Sequence, residues 1–223
     1  MILVFLGPPG SGKGTVAQFL QEKFGYVQLS TGDVVREISK KKTDLGRKIK
    51  VILKKGRLID DKTMKKILEN ELKKGSYKHK VVILDGYPRT LKQAEDLEEI
   101  IKKNKLKLKA VIYFDVSDKE VIRRLSSRFI CPKCNKIYGL ENPPKKDKIC
   151  DRCKVALIQR NDDRPEVVKE RLKVYKQKTE PLIEFYKEKG LLYVLDANKS
   201  IEQTRENIIA LLEKIKSEQN GRI

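Results

Sequence analysis

The stretch MILVFLGPPGSGKGT, residues 1–15, carries the reading that decides the fold. Ile2–Leu6 is an unbroken apolar run, the pattern of a strand buried on both faces. From Gly7 the chain turns glycine-rich, and then Val16, Phe19, Leu20 and Phe24 take up helical spacing that Gly25 ends. Strand, glycine loop and helix in that order aim backbone N–H groups and the positive helix end at one point, where Lys13 adds a full charge. Gly10, Ser11, Gly12, Lys13, Gly14 and Thr15 are therefore read as a phosphate cradle. The common form GxxxxGK[ST] places a hydroxyl directly after the lysine. Here Gly14 intervenes before Thr15, which weakens direct Mg²⁺ ligation by that hydroxyl and leaves the ion mainly to phosphates and waters.

Outward from this stretch, apolar or β-branched runs at 81–84, 110–114 and 191–195, with a weaker one at 26–29, read as further strands. Helical spacing recurs at Val168, Leu172, Tyr175, Leu182 and Tyr186, restarted by Pro165, and at Ile201, Ile208, Leu212 and Ile215. The alternation predicts an α/β fold: a five-stranded parallel sheet flanked by helices, of the P-loop NTPase type. Segments 30–60 and 127–164 break the pattern and read as insertions on the ligand-binding edge. The core is then 1–29, 61–126 and 165–223. The Lys-rich 102–109 reads as an exposed helix end or loop.

The 223 residues suit one sizeable core, and 51 Lys+Arg against 31 Asp+Glu give a net charge of +20. That balance suits an anionic partner, although a solvated lysine surface accounts for most of it. No apolar stretch approaches a membrane span and the apolar start is too short for a signal peptide, so a cytoplasmic protein without a membrane partner is expected.

A second motif, VVILDGYPRT at 81–90, ends a buried strand in Asp85, placed to orient Mg²⁺ through its water shell, with Arg89 positioned to grip a phosphate bidentately. Gly86 follows Asp85 where a hydrolytic motor carries a water-activating acid. Ala197-Asn198-Lys199-Ser200 does not complete a guanine-reading NKxD, since Ile201 follows. Motors and GTPases both lose ground.

All four cysteines fall in one segment, as Cys131-x2-Cys134-x15-Cys150-x2-Cys153. Two such knuckles can close four thiolates on Zn²⁺ with no open position, a structural site that staples a module too small for its own core. Disulfides, disfavoured in a reducing compartment, and free thiols are the alternatives. The single histidine, His79, is flanked by lysines and reads as solvated.

GPPGSGKGT, LSTGDVVRE, DGYPRT and RNDDRPEVVKERL, in that order over nearly the whole chain, resemble adenylate kinase, in its longer form with a zinc-bearing lid. The GKGT ending is the usual one in that family. The resemblance implies transfer of a phosphoryl group from ATP·Mg²⁺ to AMP, with ADP as product. Segment 30–60 becomes the AMP-binding insertion and 127–164 the zinc-binding lid. Gly10 to Thr15 would wrap the donor phosphates, with Lys13 bridging donor and transferred group. Thr31 would line the AMP adenine, Arg36 hold its phosphate, and Arg57, Leu58 and Ile59 wall that pocket. Gly86, Tyr87, Pro88 and Arg89 would continue it, Arg89 on phosphate, with Gln93 reading the adenine edge. Arg124 and Arg128 match lid-hinge arginines facing the donor, while Arg160 and Arg171 match those that fold over the phosphates. Ile137 and Tyr138 match the lid segment beside the donor base, and Lys199 the loop that touches it. Phe129 stands where many relatives have a second consecutive Arg, and Gly139 where His is frequent.

Such a set suits the chemistry, which asks for in-line placement and positive charge around the moving oxygens. The rivals are a kinase of the same fold for CMP, UMP or GMP, a zinc-ribbon nucleic-acid-binding protein, and a metal-stabilised scaffold that binds ATP without catalysis. Nucleic acid is not expected as the main partner, and a monomer is expected.

Overall fold

A computed structural model describes residues 1–74, 77 and 80–220, so His79 lies outside the described residues. In chain order the elements are β1 (Ile2–Leu6), α1 (Lys13–Phe24), β2 (Val27–Ser30), α2 (Thr31–Lys40), α3 (Asp44–Lys54) and α4 (Asp61–Leu72). Then come β3 (Val82–Asp85), α5 (Leu91–Lys103), β4 (Leu108–Asp115), α6 (Asp118–Ser126), β5 (Phe129–Ile130) and β6 (Ile137–Tyr138). The chain continues with α7 (Pro165–Val174), α8 (Leu182–Glu188), β7 (Leu192–Asp196) and α9 (Ile201–Asn220).

Five strands form one parallel sheet in the order β2-β3-β1-β4-β7. Alternation along β1 explains why both faces are covered. Ile2, Val4 and Leu6 enter one apolar cluster with Leu84, Leu97 and Leu182, whereas Leu3 and Phe5 enter the other with Leu20, Ile112 and Ile208. An unbroken apolar run, rather than an alternating one, is what a strand sandwiched between helix layers requires.

Two sequence expectations shift. β4 begins at Leu108, so part of the stretch read as a helix end or loop is sheet: Ile2 N donates to Lys107 O at 2.8 Å, and strand pairing overrides the lysine-rich composition. The long helix expected after Pro165 is interrupted by a π-helical turn over Tyr175–Thr179, ahead of Pro181, which cannot continue an i to i−4 ladder.

Between β2 and α4 lie α2 and α3, each started by a hydroxyl cap. Ser30 Oγ accepts from Asp33 N and Thr43 Oγ1 from Gly46 N. Between α6 and α7 lies the cysteine segment, whose two-stranded ladder pairs Phe129 with Tyr138 and Ile130 with Ile137. Its core is small: Cys131, Tyr138, Cys150 and Leu157 are its buried members. Both segments rise from the carboxyl end of the parallel sheet, where the glycine loop follows β1 and Asp85 ends β3.

Candidate active site

The crevice at that end is lined by the glycine loop, α2, the 86–93 turn, α6, the cysteine segment and the arginines of the returning chain. Gly12, at φ +93°, caps α1 in a left-handed conformation that lets the loop close over the helix end. Lys13 opens α1, and its Nζ donates to Gly7 O at 2.8 Å, Pro8 O at 2.7 Å and Ser11 Oγ at 2.9 Å. Ser11 is 1% exposed. Burial pushes the Lys13 ammonium down to about 7, against the opposing pull of Asp85. A cation held on three oxygens, in a site that disfavours its charge, is poised for a polyphosphate.

Asp85 receives a hydrogen bond from Gln28 Nε2 at 2.9 Å, which orients one carboxylate oxygen. Across the turn, Gly86 sits at φ +85°, and a Cβ there would lie 2.8 Å from Arg89 Nη2 and 3.0 Å from Thr31 Oγ1. The glycine is required because Arg89 folds back over it, Nε donating to Gly86 O at 2.8 Å. Burial, reinforced by the charge of Arg171, lowers Arg89 to about 10. Thr31 is 1% exposed and donates to Asp85 O at 3.3 Å, while the cap of α2 is its neighbour Ser30. Gln93 is 2% exposed, with Nε2 donating to Asp61 Oδ1 and Oε1 accepting from Arg89 N, both at 2.8 Å.

Four arginines from distant segments meet here, and each arrives with a carboxylate. Arg128 forms a two-point pair with Asp163, whose side chain is fully buried, and Arg171 Nη1 lies 3.1 Å from the same Asp163. Arg36 binds Asp33 at 2.6 Å and faces Asp162 at 3.9 Å. Arg160 reaches Asp33 at 3.4 Å. Burial, then the charge of Arg36, lowers Arg160 to about 10. Burial would raise Asp33 and Asp162, but the surrounding groups together outweigh it, Arg36 and Arg160 about Asp33 and Arg171, Arg36, Arg128 and Arg160 about Asp162, and hold both carboxyls below their usual range. The arrangement is a cationic chamber with exchangeable carboxylate partners, suited to anions that carry several oxygens.

The remaining predicted residues fall at the rim or beneath it. Arg124 pairs with Glu120 at 2.7 Å and donates to Lys199 O at 3.3 Å, tying the start of the cysteine segment to the 197–200 loop. Lys199 is exposed, and its Nζ lies 3.9 Å from Asp196. Ile137 reaches over the glycine loop, its Cδ1 3.4 Å from where a Gly14 Cβ would stand. Arg57, Leu58 and Ile59 line the wall beyond α3.

One assignment changes, and a second residue proves to serve two surfaces. The Tyr87 ring is 0% exposed and belongs to the apolar core under the sheet, so Gly86, Pro88 and Arg89 line the crevice without it. Tyr138 keeps a place in the crevice wall beside Ile137, and its hydroxyl is turned toward the cysteines, donating to Cys150 Sγ at 3.4 Å and accepting from Asp151 N at 2.9 Å. An aromatic ring in a module with so small a core goes where it buries most area, which a motif match does not register.

The four cysteines carry no disulfide, and their Sγ atoms all lie within 4.8 Å of one another. Tetrahedral thiolates about 2.3 Å from a zinc ion stand about 3.8 Å apart. Cys134 Sγ and Cys150 Sγ are 3.8 Å apart. Cys134 N and Cys153 N point at Cys131 Sγ and Cys150 Sγ, at 3.5 and 3.3 Å, as backbone N–H donors to metal-bound thiolates do. The donor set fits a four-sulfur metal site.

Sequence reasoning missed the partners. Asp33, Asp162 and Asp163 lie inside the quoted motifs, but only their conjunction with arginines makes them part of the chamber. Asp61, Gln28 and Thr179, whose Oγ1 donates to Arg89 O at 2.9 Å, carry no motif at all.

Comparison with known proteins agrees with this geometry. The family model described as adenylate kinase matches residues 5–191. The adenylate kinase of Archaeoglobus fulgidus is 48% identical over 218 residues, 97% of this chain and 100% of its own. Those of Thermotoga neapolitana and Thermotoga maritima are 47% and 46% identical over 215 residues, each pairing 96% of this chain with 96% of theirs.

Proposed function

Because the chain belongs to the adenylate kinase family, and therefore transfers a phosphoryl group reversibly between ATP and AMP with two ADP as product, we propose a division of the crevice about Lys13. The donor side comprises Gly10 to Thr15, Arg124, Arg128, Ile137 and the 197–200 loop. The acceptor side comprises Thr31, Arg36, Arg57 to Ile59, Gly86, Pro88, Arg89 and Gln93, with Arg160 and Arg171 above the junction. The observation that carries this division is that Lys13 follows β1 and Arg89 follows the neighbouring β3, with Asp85 at the end of β3 acting electrostatically on both.

Lys13 exchanges its three oxygens for those of the donor phosphates and gains charge as it does so. Arg89, fixed by Gly86 O and by the neighbouring Thr179 contact, holds the acceptor phosphate in line. Arg128, Arg160 and Arg171 give up Asp163, Asp33 and Asp162 in part to oxygens that gain charge in the transition state. Asp85, together with phosphates and water, would hold Mg²⁺, which would supply further charge neutralisation. The cysteine segment and the α2–α3 insertion are proposed as the lid and the AMP-binding domain. Their closure keeps water from competing with the acceptor.

The cysteine cluster is proposed to hold structural zinc. A four-thiolate metal site of this kind suits a reducing, cytoplasmic setting. No helix of the described residues is long and apolar enough to cross a membrane. Both sides of the crevice are completed within one chain, which supports a monomer as the working unit.

The test is ADP formation from ATP·Mg²⁺ with AMP, CMP, UMP or GMP offered separately. AMP-selective turnover that falls in Thr31→Ala and Gln93→Ala variants supports the division. Selectivity indifferent to both would overturn the placement of the acceptor base.

A further inference from the structure

We propose that Asp61, which opens α4 away from the phosphates, is a positioning residue that fixes which kind of base edge the acceptor side takes. This rests on the reading of Gln93 as the base-contacting side chain.

A primary amide offers two N–H donors and two lone pairs, and its two ends are nearly the same shape, so its direction is set by its partners. Gln93 spends one donor on Asp61 Oδ1 and one lone pair on Arg89 N, each at 2.8 Å. A carboxylate only accepts and a backbone N–H only donates. Both anchors therefore demand the same direction, the amide oxygen toward Arg89 and the nitrogen toward Asp61. Reversed, an N–H would meet an N–H and an oxygen would meet a carboxylate.

Asp61 is itself held. Oδ1 also accepts from Thr90 Oγ1 at 3.0 Å, and Thr90 in turn caps α5 by accepting from Gln93 N at 3.1 Å. The carboxylate, the cap and the amide thus form one unit across the starts of α4 and α5.

What remains to Gln93 is one N–H and one lone pair in a fixed order. A 6-aminopurine offers the complement: a ring nitrogen that accepts beside an amino group that donates. A 6-oxopurine offers the reverse, an N–H that donates beside an oxygen that accepts. A Gln free to turn over would serve either class. Held by Asp61, it takes the amino class.

Inosine monophosphate differs from AMP at this edge, so the experiment compares kcat/KM for AMP and IMP at saturating ATP·Mg²⁺, with titration calorimetry of both monophosphates. Asp61→Asn and Asp61→Ala are expected to lower the AMP-to-IMP ratio about tenfold, through KM of the monophosphate, with KM for ATP unmoved. Thr90→Ala, which loses the cap but keeps the carboxylate, is expected to lower the melting temperature and to lower the ratio by less than either Asp61 variant. A ratio within twofold of the parent in both Asp61 variants, while Gln93→Ala collapses it, overturns the role of Asp61 and leaves the base reading standing. A ratio indifferent to Gln93→Ala overturns the base reading and the proposal with it. Should Asp61→Ala fail to fold, the near-isosteric Asp61→Asn and its binding data decide.

Discussion

Arg160 Nη2 lies 3.4 Å from Asp33 Oδ1, joining the returning end of the cysteine segment to the first helix of the α2–α3 insertion. Together with Arg36 facing Asp162 at 3.9 Å, it makes a crossed pair between the two segments that flank the crevice. The pair exists only while those segments are close, so it would bias the closure proposed above. The Asp33 side chain is 33% exposed, which limits the contact to about 0.2–1 kcal/mol. Asp33→Ala is therefore expected to shift the closed population down by less than about fivefold, an effect that 0.5 M salt reproduces in the parent. Single-molecule distance measurements between the two segments check this; a shift of several tens-fold would contradict it.

Arg89 is the cleaner of two arginine tests. Its side chain donates to Gly86 O, so Arg89→Ala strands no buried carboxylate and is expected to lower kcat by roughly 10²–10³ with little change in melting temperature. Arg128→Ala differs because Asp163, fully buried, keeps Arg171 alone. That variant should lose both turnover and stability, the latter by up to about 3 kcal/mol. Steady-state kinetics alongside calorimetric melting separates the two.

Lys13 gives the site a pH dependence whose sign follows from its position. Burial holds the ligand-free group at about 7, and phosphate oxygens raise it. Below that value the lysine is already cationic and ATP binds without taking up a proton. Above it the group is neutral, so binding draws a proton from solution and affinity falls with rising pH, approaching tenfold per unit. Calorimetry in buffers of different ionisation enthalpy is expected to report uptake of nearly one proton at pH 8 and almost none at pH 6. Lys13→Met should abolish the difference.

The cysteine segment has too small a core to fold unaided, its buried members being Cys131, Tyr138, Cys150 and Leu157. Elemental analysis of reduced protein is expected to find about one zinc per chain. Chelation should split the melting transition, the lid unfolding below the core. Tyr138→Phe removes the donor to Cys150 Sγ and the acceptor for Asp151 N, so zinc affinity should fall about 10–100-fold while the core transition stays in place.

Much of this was legible in the sequence because it rests on local rules. The run Ile2–Leu6 had to be a strand covered on both faces, since nothing polar interrupts it, and the glycines after it had to turn tightly into a helix. The cysteine spacing pointed to a metal for the same kind of reason: ligands with two residues between them in each knuckle are a property of the chain. What the sequence could not state is which side chains meet across the crevice. Asp163 under Arg128, Asp33 beside Arg160 and Asp61 behind Gln93 are separated by 35, 127 and 32 positions, and each is a carboxylate with no motif to mark its partner. Tyr87 sits inside a ligand motif and Tyr138 in a segment matched to the donor base, yet both rings are buried in cores, because an aromatic ring gains more from burial than from its place in a pattern. Backbone periodicity and ligand spacing are written in neighbouring residues. Charge pairing and burial are settled only when the fold brings distant ones together.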